Sequence, residues 1–173
     1  MARAAPSSSN SDATARFERL YRANYQDLLG YALRRTSQPE AAADVVAQVF
    51  LIAWRRISEI PPDQARGWLF GVARKVMANH HRTEQRWTDL ARRLRQELRQ
   101  VSIVASKAHD DIGRAFRTLA EADQELLRLV AWEGLTAEEL AVTLDCTVNA
   151  ARIRLHRARR RFAEALREPS FNR

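Results

Sequence analysis

Residues 136–161 read TAEELAVTLDCTVNAARIRLHRARRR, two helical patterns that meet at Asp145-Cys146. No other segment constrains the fold as strongly. The first pattern opens with Thr136 and Glu139 in the T-x-x-E spacing of a capping box. The second, over residues 147–161, carries six arginines and no carboxylate. Residues 110–145, by contrast, hold nine carboxylates against three arginines. Segregation this sharp points to two faces that meet two kinds of partner. Two helices of opposite charge joined by a tight turn are the form that lays one helix in the major groove of DNA.

The local signals within this segment agree. Gly134 supplies the positive φ that ends one helix before Leu135 and Thr136 start the next. Leu140, Ala141 and Leu144 are expected to face inward. Thr147 is placed to cap the last helix. Val148, Ala151, Leu155, Ala158 and Phe162 then recur at helical spacing and predict a buried stripe. The opposite face carries Asn149, Arg152, Ile153, His156 and Arg160, flanked by Arg154, Arg157, Arg159 and Arg161. In a groove-bound helix the early residues meet base edges and flanking arginines meet phosphates. An arginine at position 152 can pair bidentately with guanine, and Ile153 can touch a thymine methyl. The competing reading is a solvated basic helix or an arginine-rich helix held by a protein partner.

Composition widens the argument to the whole chain. Glycine and proline number only 5 each in 173 residues, and strand-length β-branched runs are scarce. Ala, Leu, Arg and Glu dominate, all strong helix formers. The fold class is therefore all-α: two small helical domains joined by a flexible linker, the C-terminal one with a helix-turn-helix. A net charge of +8 favours a polyanionic partner. Cys146 is the only cysteine, so no intrachain disulfide and no cysteine-based zinc site can form. The longest apolar run, Val49 to Trp54, is far too short to span a bilayer. The N-terminus has no apolar core of a secretory signal. A cytoplasmic protein without membrane insertion is expected.

Four segments follow from the patterning. Residues 1–14 are small and polar, without periodicity, and are expected to be disordered. A first domain covers 15–86. It begins with a helix whose apolar face holds Phe17, Leu20, Tyr21, Leu28 and Ala32. Ser37, Pro39 and Glu40 predict the start of a second helix, with Ser37 as cap. That helix carries Val45, Val46, Val49, Phe50, Ala53, Trp54 and Ile57, and Pro61-Pro62 is expected to end it. A third helix places Trp68, Leu69, Val72, Ala73 and Val76 inward. Its Lys75, Asn79, Arg82 and Arg86 form one polar stripe. Residues 87–109 have a thin apolar face and read as a mobile linker. A second domain covers 110–168, with helices expected at 111–119, 123–133, 136–144 and 147–166.

Other constellations point to little chemistry. His80 and His81 are adjacent and cannot share a helix face, whereas helical metal ligands need i,i+4 spacing. His109-Asp110-Asp111 is expected to cap the following helix. No Ser/His/Asp grouping or phosphate-binding glycine loop occurs. Neither cofactor nor metal nor catalytic residue is expected. Cys146 reads as a small apolar turn residue, with a redox role the minority reading.

Three segments together resemble the extracytoplasmic-function (group IV) sigma factors of bacterial RNA polymerase. EGLTAEELAVTLDCTVNAARIRLHRARRR is similar to the family's last helix-turn-helix region. AADVVAQVFLIAWRR is similar to its core-binding helix, and GWLFGVARKVMANHHR to its promoter-melting helix. The three occur in the family's order, without the large middle domain of primary sigma factors.

The resemblance implies roles residue by residue. Asp44, Gln48, Phe50 and Trp54 match positions that grip the polymerase clamp coiled coil. Trp68, Arg74, Lys75, Asn79 and Arg82 match those that open and read the minus-ten element. Thr147, Asn149, Arg152, Ile153, His156 and Arg157 match those that read the minus-thirty-five element. The implied partners are core RNA polymerase, through its clamp coiled coil and flap, promoter DNA in duplex and single-stranded form, and an anti-sigma factor. Residue chemistry fits beside this: the stripe suits a single-strand backbone, and Trp68 suits either base stacking or core packing.

The chain departs from the family pattern at several places. Gln48 stands where an acidic residue is usual, Ala47 where glutamine is, Lys75 where asparagine is common, Asp145 where glycine is and Ala120 where proline is. Lysine is a point charge and reads base edges poorly. Aspartate tolerates left-handed backbone, so the turn is expected to survive. Two rivals remain open on sequence: a helix-turn-helix regulator acting without polymerase, and a helical nucleic-acid-processing enzyme, for which metal-binding carboxylate clusters are lacking.

Overall fold

The computed structural model describes residues 8–36, 38–94 and 107–167, with side chains over 11–36, 38–80 and 112–167. Seven α-helices and one 3-10 turn make up the described residues, with no strand among them. The chain falls into two compact units that part at Thr88–Asp89.

In the first unit, α1 (Ser8–Leu33) buries Leu20, Asn24, Leu28, Tyr31 and Ala32, spaced by four, four, three and one. Asn24 is polar and buried, so its amide needs a partner; it donates to the Leu20 carbonyl one turn back at 2.8 Å. The last carbonyls of α1 are satisfied by side chains. Thr36 Oγ1 donates to the Ala32 oxygen at 3.0 Å and Arg35 Nη1 to the Tyr31 oxygen at 3.2 Å. Helix α1 starts earlier than its composition predicts: residues 8–14, expected to be disordered, are helical. Their anchor lies further on, where Arg16 donates to the Ile60 carbonyl and Phe17 meets Trp54 edge-on at 5.1 Å. Packing of that kind overrides weak intrinsic propensity.

Helix α2 (Pro39–Arg55) buries Ala42, Val45, Val46, Val49, Phe50 and Ala53. Its N-cap is Gln38, which makes no side-chain capping bond. Ser37, the expected cap, lies outside the described residues. Proline in the first turn and Glu40 beside it supply the start instead. The helix stops at Arg55, before Pro61-Pro62, because the chain turns to bury Ile57 and Ile60. Pro62–Gln64 forms the 3-10 turn into α3 (Ala65–Leu94).

Helix α3 turns Leu69, Phe70, Ala73, Val76 and Met77 into the core. Phe70 meets Tyr31 of α1 edge-on at 5.4 Å. This inward face is rotated from the expected one: Trp68 and Val72 end half-buried at its margin. Arg66 pairs with Asp27 at 3.1 Å and ties the start of α3 to α1. The helix runs past Arg86, so the segment expected to be a linker is helical through Leu94. Residues 95–106 lie outside the described residues.

The second unit holds α4 (Lys107–Thr118), α5 (Glu121–Ala131), α6 (Ala137–Leu144) and α7 (Val148–Arg167). His109, Asp110 and Asp111 lie inside α4 rather than capping it. Helix α7 packs against α4, α5 and α6 in turn. Ala151 and Ala158, both fully buried, let its backbone approach the others closely, while Phe162 meets Phe116 edge-on at 5.9 Å. Leu126, Leu129, Leu135, Leu140 and Ala141 complete the core. Thr143 is buried where Leu144 was expected; Leu144 is half-buried at the turn.

Two positive-φ residues shape this unit. At Gly134, φ is 64°, and the next N–H, of Leu135, returns to the Leu129 carbonyl at 3.1 Å. At Asp145, φ is 52° and ψ 56°, the left-handed conformation that ends α6. Cys146 N–H reaches the Ala141 oxygen at 2.9 Å and Asp145 N–H the Val142 oxygen at 3.3 Å, the two bonds of a Schellman motif. Aspartate thus fills a place that glycine would fill without side-chain cost. Replacing Asp145 with valine, whose branched Cβ clashes in this region, should destabilise the unit by about 1–2 kcal/mol. Asp145→Gly should not destabilise it. Urea unfolding of both variants checks this, and an unaffected valine variant would contradict the left-handed turn.

Candidate nucleic-acid interface

The turn described above fixes how α7 is presented. Thr136 and Glu139 form the expected capping box: Glu139 N–H donates to Thr136 Oγ1 at 3.1 Å, and Thr136 N–H to Glu139 Oε2 at 2.9 Å. Thr147 caps α7, its Oγ1 accepting from Ala150 N–H at 3.2 Å. With Ala151 and Ala158 pinned inward, Asn149, Arg152, Ile153, His156 and Arg157 all come out exposed on the described surface. The structure therefore brings the expected duplex-facing residues together on the first three turns of one helix, with Thr147 at its head.

The six arginines between positions 152 and 161 divide into two groups. Arg160 pairs with Glu164 at 3.3 Å, Arg161 with Asp123 of α5 at 2.7 Å, and Arg152 with Glu138 of α6 at 3.0 Å. Arg154, Arg157 and Arg159 are exposed and have no carboxylate partner among the described residues. They are the cations best placed for phosphates. The first-turn backbone N–H of Glu138 itself holds that carboxyl below the usual carboxylate range, against a smaller effect of desolvation. The Arg152 charge and the Thr136 hydroxyl add to the lowering. A depressed carboxylate stays ionised through neutral pH, and its pairing is lost only as pH falls through the depressed value. Glu138 was missed on sequence because its partner lies fourteen positions away across the turn, outside any helical spacing.

On α3, Trp68, Val72, Lys75 and Asn79 follow one another at i, i+4, i+7 and i+11, a single row along the helix. Lys75 and Asn79 are exposed; Trp68 and Arg74 are half-buried. The Arg56 guanidinium lies 5.7 Å from the Trp68 ring centre. Trp68 is thus neither core nor fully open, and it stands at the head of the polar stripe. The side chains of Arg82 and Arg86 lie outside the described residues.

On α2, Asp44, Ala47 and Gln48 are exposed. Trp54 is 40% exposed and Leu51 48%, and Tyr21 of α1, whose ring meets Phe50, is 38% exposed. Phe50 differs from its expected place. It is 4% exposed, its ring 4.5 Å from Tyr21 and 6.2 Å from Phe17. It is therefore a core residue of the first unit. Its position follows from Val46, Val49 and Ala53, which share its side of the helix. Tyr21 was placed on the inward face of α1 by apolar periodicity, yet its side chain comes out exposed.

A family model of sigma-70 region 2 matches residues 20–88, and one of sigma-70 region 4 matches residues 109–162, together more than half of the chain. The chain belongs to the extracytoplasmic-function sigma factors of bacterial RNA polymerase. The sigma factor YlaC of Bacillus subtilis (strain 168) is 25% identical over 150 residues, 82% of this chain and 87% of YlaC. The sigma factor CnrH of Cupriavidus metallidurans is 28% identical over 161 residues, 80% of each chain. The fold is shared with RpoE of Bartonella quintana, solved in complex with the anti-sigma factor NepR, at 21% identity and a TM-score of 0.60. That match covers 88% of this chain and 97% of RpoE. It is also shared with CnrH in complex with the cytosolic domain of CnrY, at 23% identity and a TM-score of 0.58, covering 89% of each chain.

As a sigma factor, the chain binds core RNA polymerase and directs promoter-specific initiation, with promoter DNA as its second partner. Among the described residues no helix is long and apolar enough to cross a membrane, and no cluster of three or more His, Cys, Asp or Glu is placed to hold a metal.

The core placement of Phe50 is testable. Phe50→Ala should cost about 3–5 kcal/mol in urea unfolding of the first unit. Trp54→Ala should cost clearly less. Equal costs, or a stable Phe50→Ala protein that fails only in polymerase binding, would contradict the core placement.

Proposed function

We propose that the two units divide promoter recognition, residues 110–168 reading the minus-thirty-five element as duplex and residues 15–86 capturing the opened minus-ten strand. The observation that carries this reading is the exposed N-terminal face of α7. Asn149, Arg152, Ile153 and His156 supply donors, an acceptor and an apolar contact for base edges, while Arg154, Arg157 and Arg159 supply unpaired charge for phosphates. In the first unit, the row Trp68, Lys75 and Asn79, with Arg74 and Arg82 beside it, suits a single strand: an aromatic ring for stacking and cations for the backbone. Binding of unstacked bases there offsets the cost of melting. Lys75 adds charge more than base discrimination.

Core polymerase is engaged through the exposed α2 residues Asp44, Gln48 and Trp54 against the clamp coiled coil, with Tyr21 and Leu51 extending the surface. The second unit meets the flap. The polymerase makes every bond, so the chain itself is non-catalytic, and it works in the cytoplasm where the polymerase is. An anti-sigma factor is its regulator. Support comes from RpoE, solved with NepR, and from the exposed apolar residues Tyr21, Leu51 and Trp54, which such a partner would cover. A regulator acting without polymerase is not favoured, since residues 20–88 match a sigma region that it would not need.

Arg152→Ala should reduce holoenzyme discrimination for the upstream element by roughly 10- to 100-fold at one base pair while leaving core binding intact. Equal transcription by the unmutated protein from templates with native and scrambled upstream elements would contradict the assignment. Asp44→Arg should abolish capture by core polymerase in a pull-down; normal capture would remove Asp44 from the clamp contact.

A further inference from the structure

One ion pair joins the two helices of the helix-turn-helix. Arg152 Nη2 donates to Glu138 Oε1 at 3.0 Å, across fourteen positions of sequence. The side chains are 64% and 62% exposed. An exposed pair of this kind does little for stability. Its geometry matters more. It is a single contact through one nitrogen, and Arg152 Nε and Nη1 make no other hydrogen bond or ion pair among the described residues. Glu138 lies in the first turn of α6, next to the capping box, and the helix backbone fixes where its side chain starts. The contact thus starts from a backbone position set by the capping box, and it leaves the guanidinium only partly used. The arginines suited to phosphates, Arg154, Arg157 and Arg159, have no such anchor.

We propose that Glu138 is a positioning and specificity-determining residue: it orients Arg152 so that the remaining guanidinium donors face a base edge. The inference rests on the reading of Arg152 as a base contact. Two physical effects follow. A tethered arginine loses less side-chain freedom when it pairs with a base, so correct sites gain. A carboxylate on the DNA-facing side repels phosphates, so complexes held by backbone contacts alone are weakened. Glu138 thus raises discrimination while lowering sequence-independent affinity.

The test uses holoenzyme, duplex promoter fragments with each base pair of the upstream element substituted in turn, and one unrelated duplex. Glu138→Gln should reduce discrimination about two- to five-fold at the base pair that Arg152 reads, leave the other positions unchanged, and tighten binding to the unrelated duplex by a similar factor. Glu138→Ala should repeat the pattern. Adding Glu138→Gln to Arg152→Ala should cause no further loss of discrimination. Unchanged discrimination in Glu138→Gln, or an equal loss at every position, would overturn the proposal. So would a further loss in the Arg152→Ala background. If Arg152→Ala itself keeps discrimination everywhere, the base-reading assignment fails and takes this role with it. If Arg152→Ala loses discrimination and Glu138→Gln does not, the positioning role alone is wrong.

Discussion

Helix α7 must satisfy two environments at once, and the second unit is built around that demand. Its inner stripe is narrow. Ala151 and Ala158 are fully buried, and Val148, Leu155 and Phe162 are half-buried. Small residues bring the backbone close to α4, α5 and α6, and close packing fixes the rotation of the helix about its axis. Once that rotation is set, the arginines have nowhere to go but outward. The basic surface is therefore a consequence of where two alanines lie. The turn at Asp145 and the cap at Thr147 then set the direction in which the surface points.

The first unit solves a related problem with different means. Its core is aromatic and β-branched, and the same α2 that supplies Val45, Val49 and Phe50 to the interior leaves Asp44, Gln48, Leu51 and Trp54 outside. Part of the aromatic cluster stays at the surface: Phe17, Tyr21 and Tyr25 surround Phe50, while Trp54 closes on Phe17. An exposed apolar patch of this sort is what the proposed polymerase contact would cover. The polar row on α3 lies on another helix, so the two proposed contacts draw on different side chains.

Local chemistry makes much of this legible in the sequence. The capping box at Thr136 and Glu139, the left-handed Asp145, the cap at Thr147 and the outward arginines each follow from short-range rules, and each is found. What was not legible depends on distant contacts. Residues 8–14 are helical because a helix held at Arg16 and Phe17 can extend past a poor sequence. The rings that close over Phe50, Tyr21 and Phe17, come from α1, which no α2 pattern can reveal. The inward face of α3 includes Phe70 because Tyr31 waits for it on α1. The pair of Glu138 with Arg152 joins two helices whose relative placement periodicity does not encode.

The central claim is that this chain gives a catalytic polymerase its promoter choice rather than acting on DNA alone. Run-off transcription with purified core RNA polymerase, over a library of genomic promoter fragments, tests it most directly. The account predicts discrete transcripts only when both chain and core enzyme are present, with weak binding to the same fragments by the chain alone. A protein that never associates with core subunits, yields no transcripts, and footprints palindromic duplex by itself would contradict it.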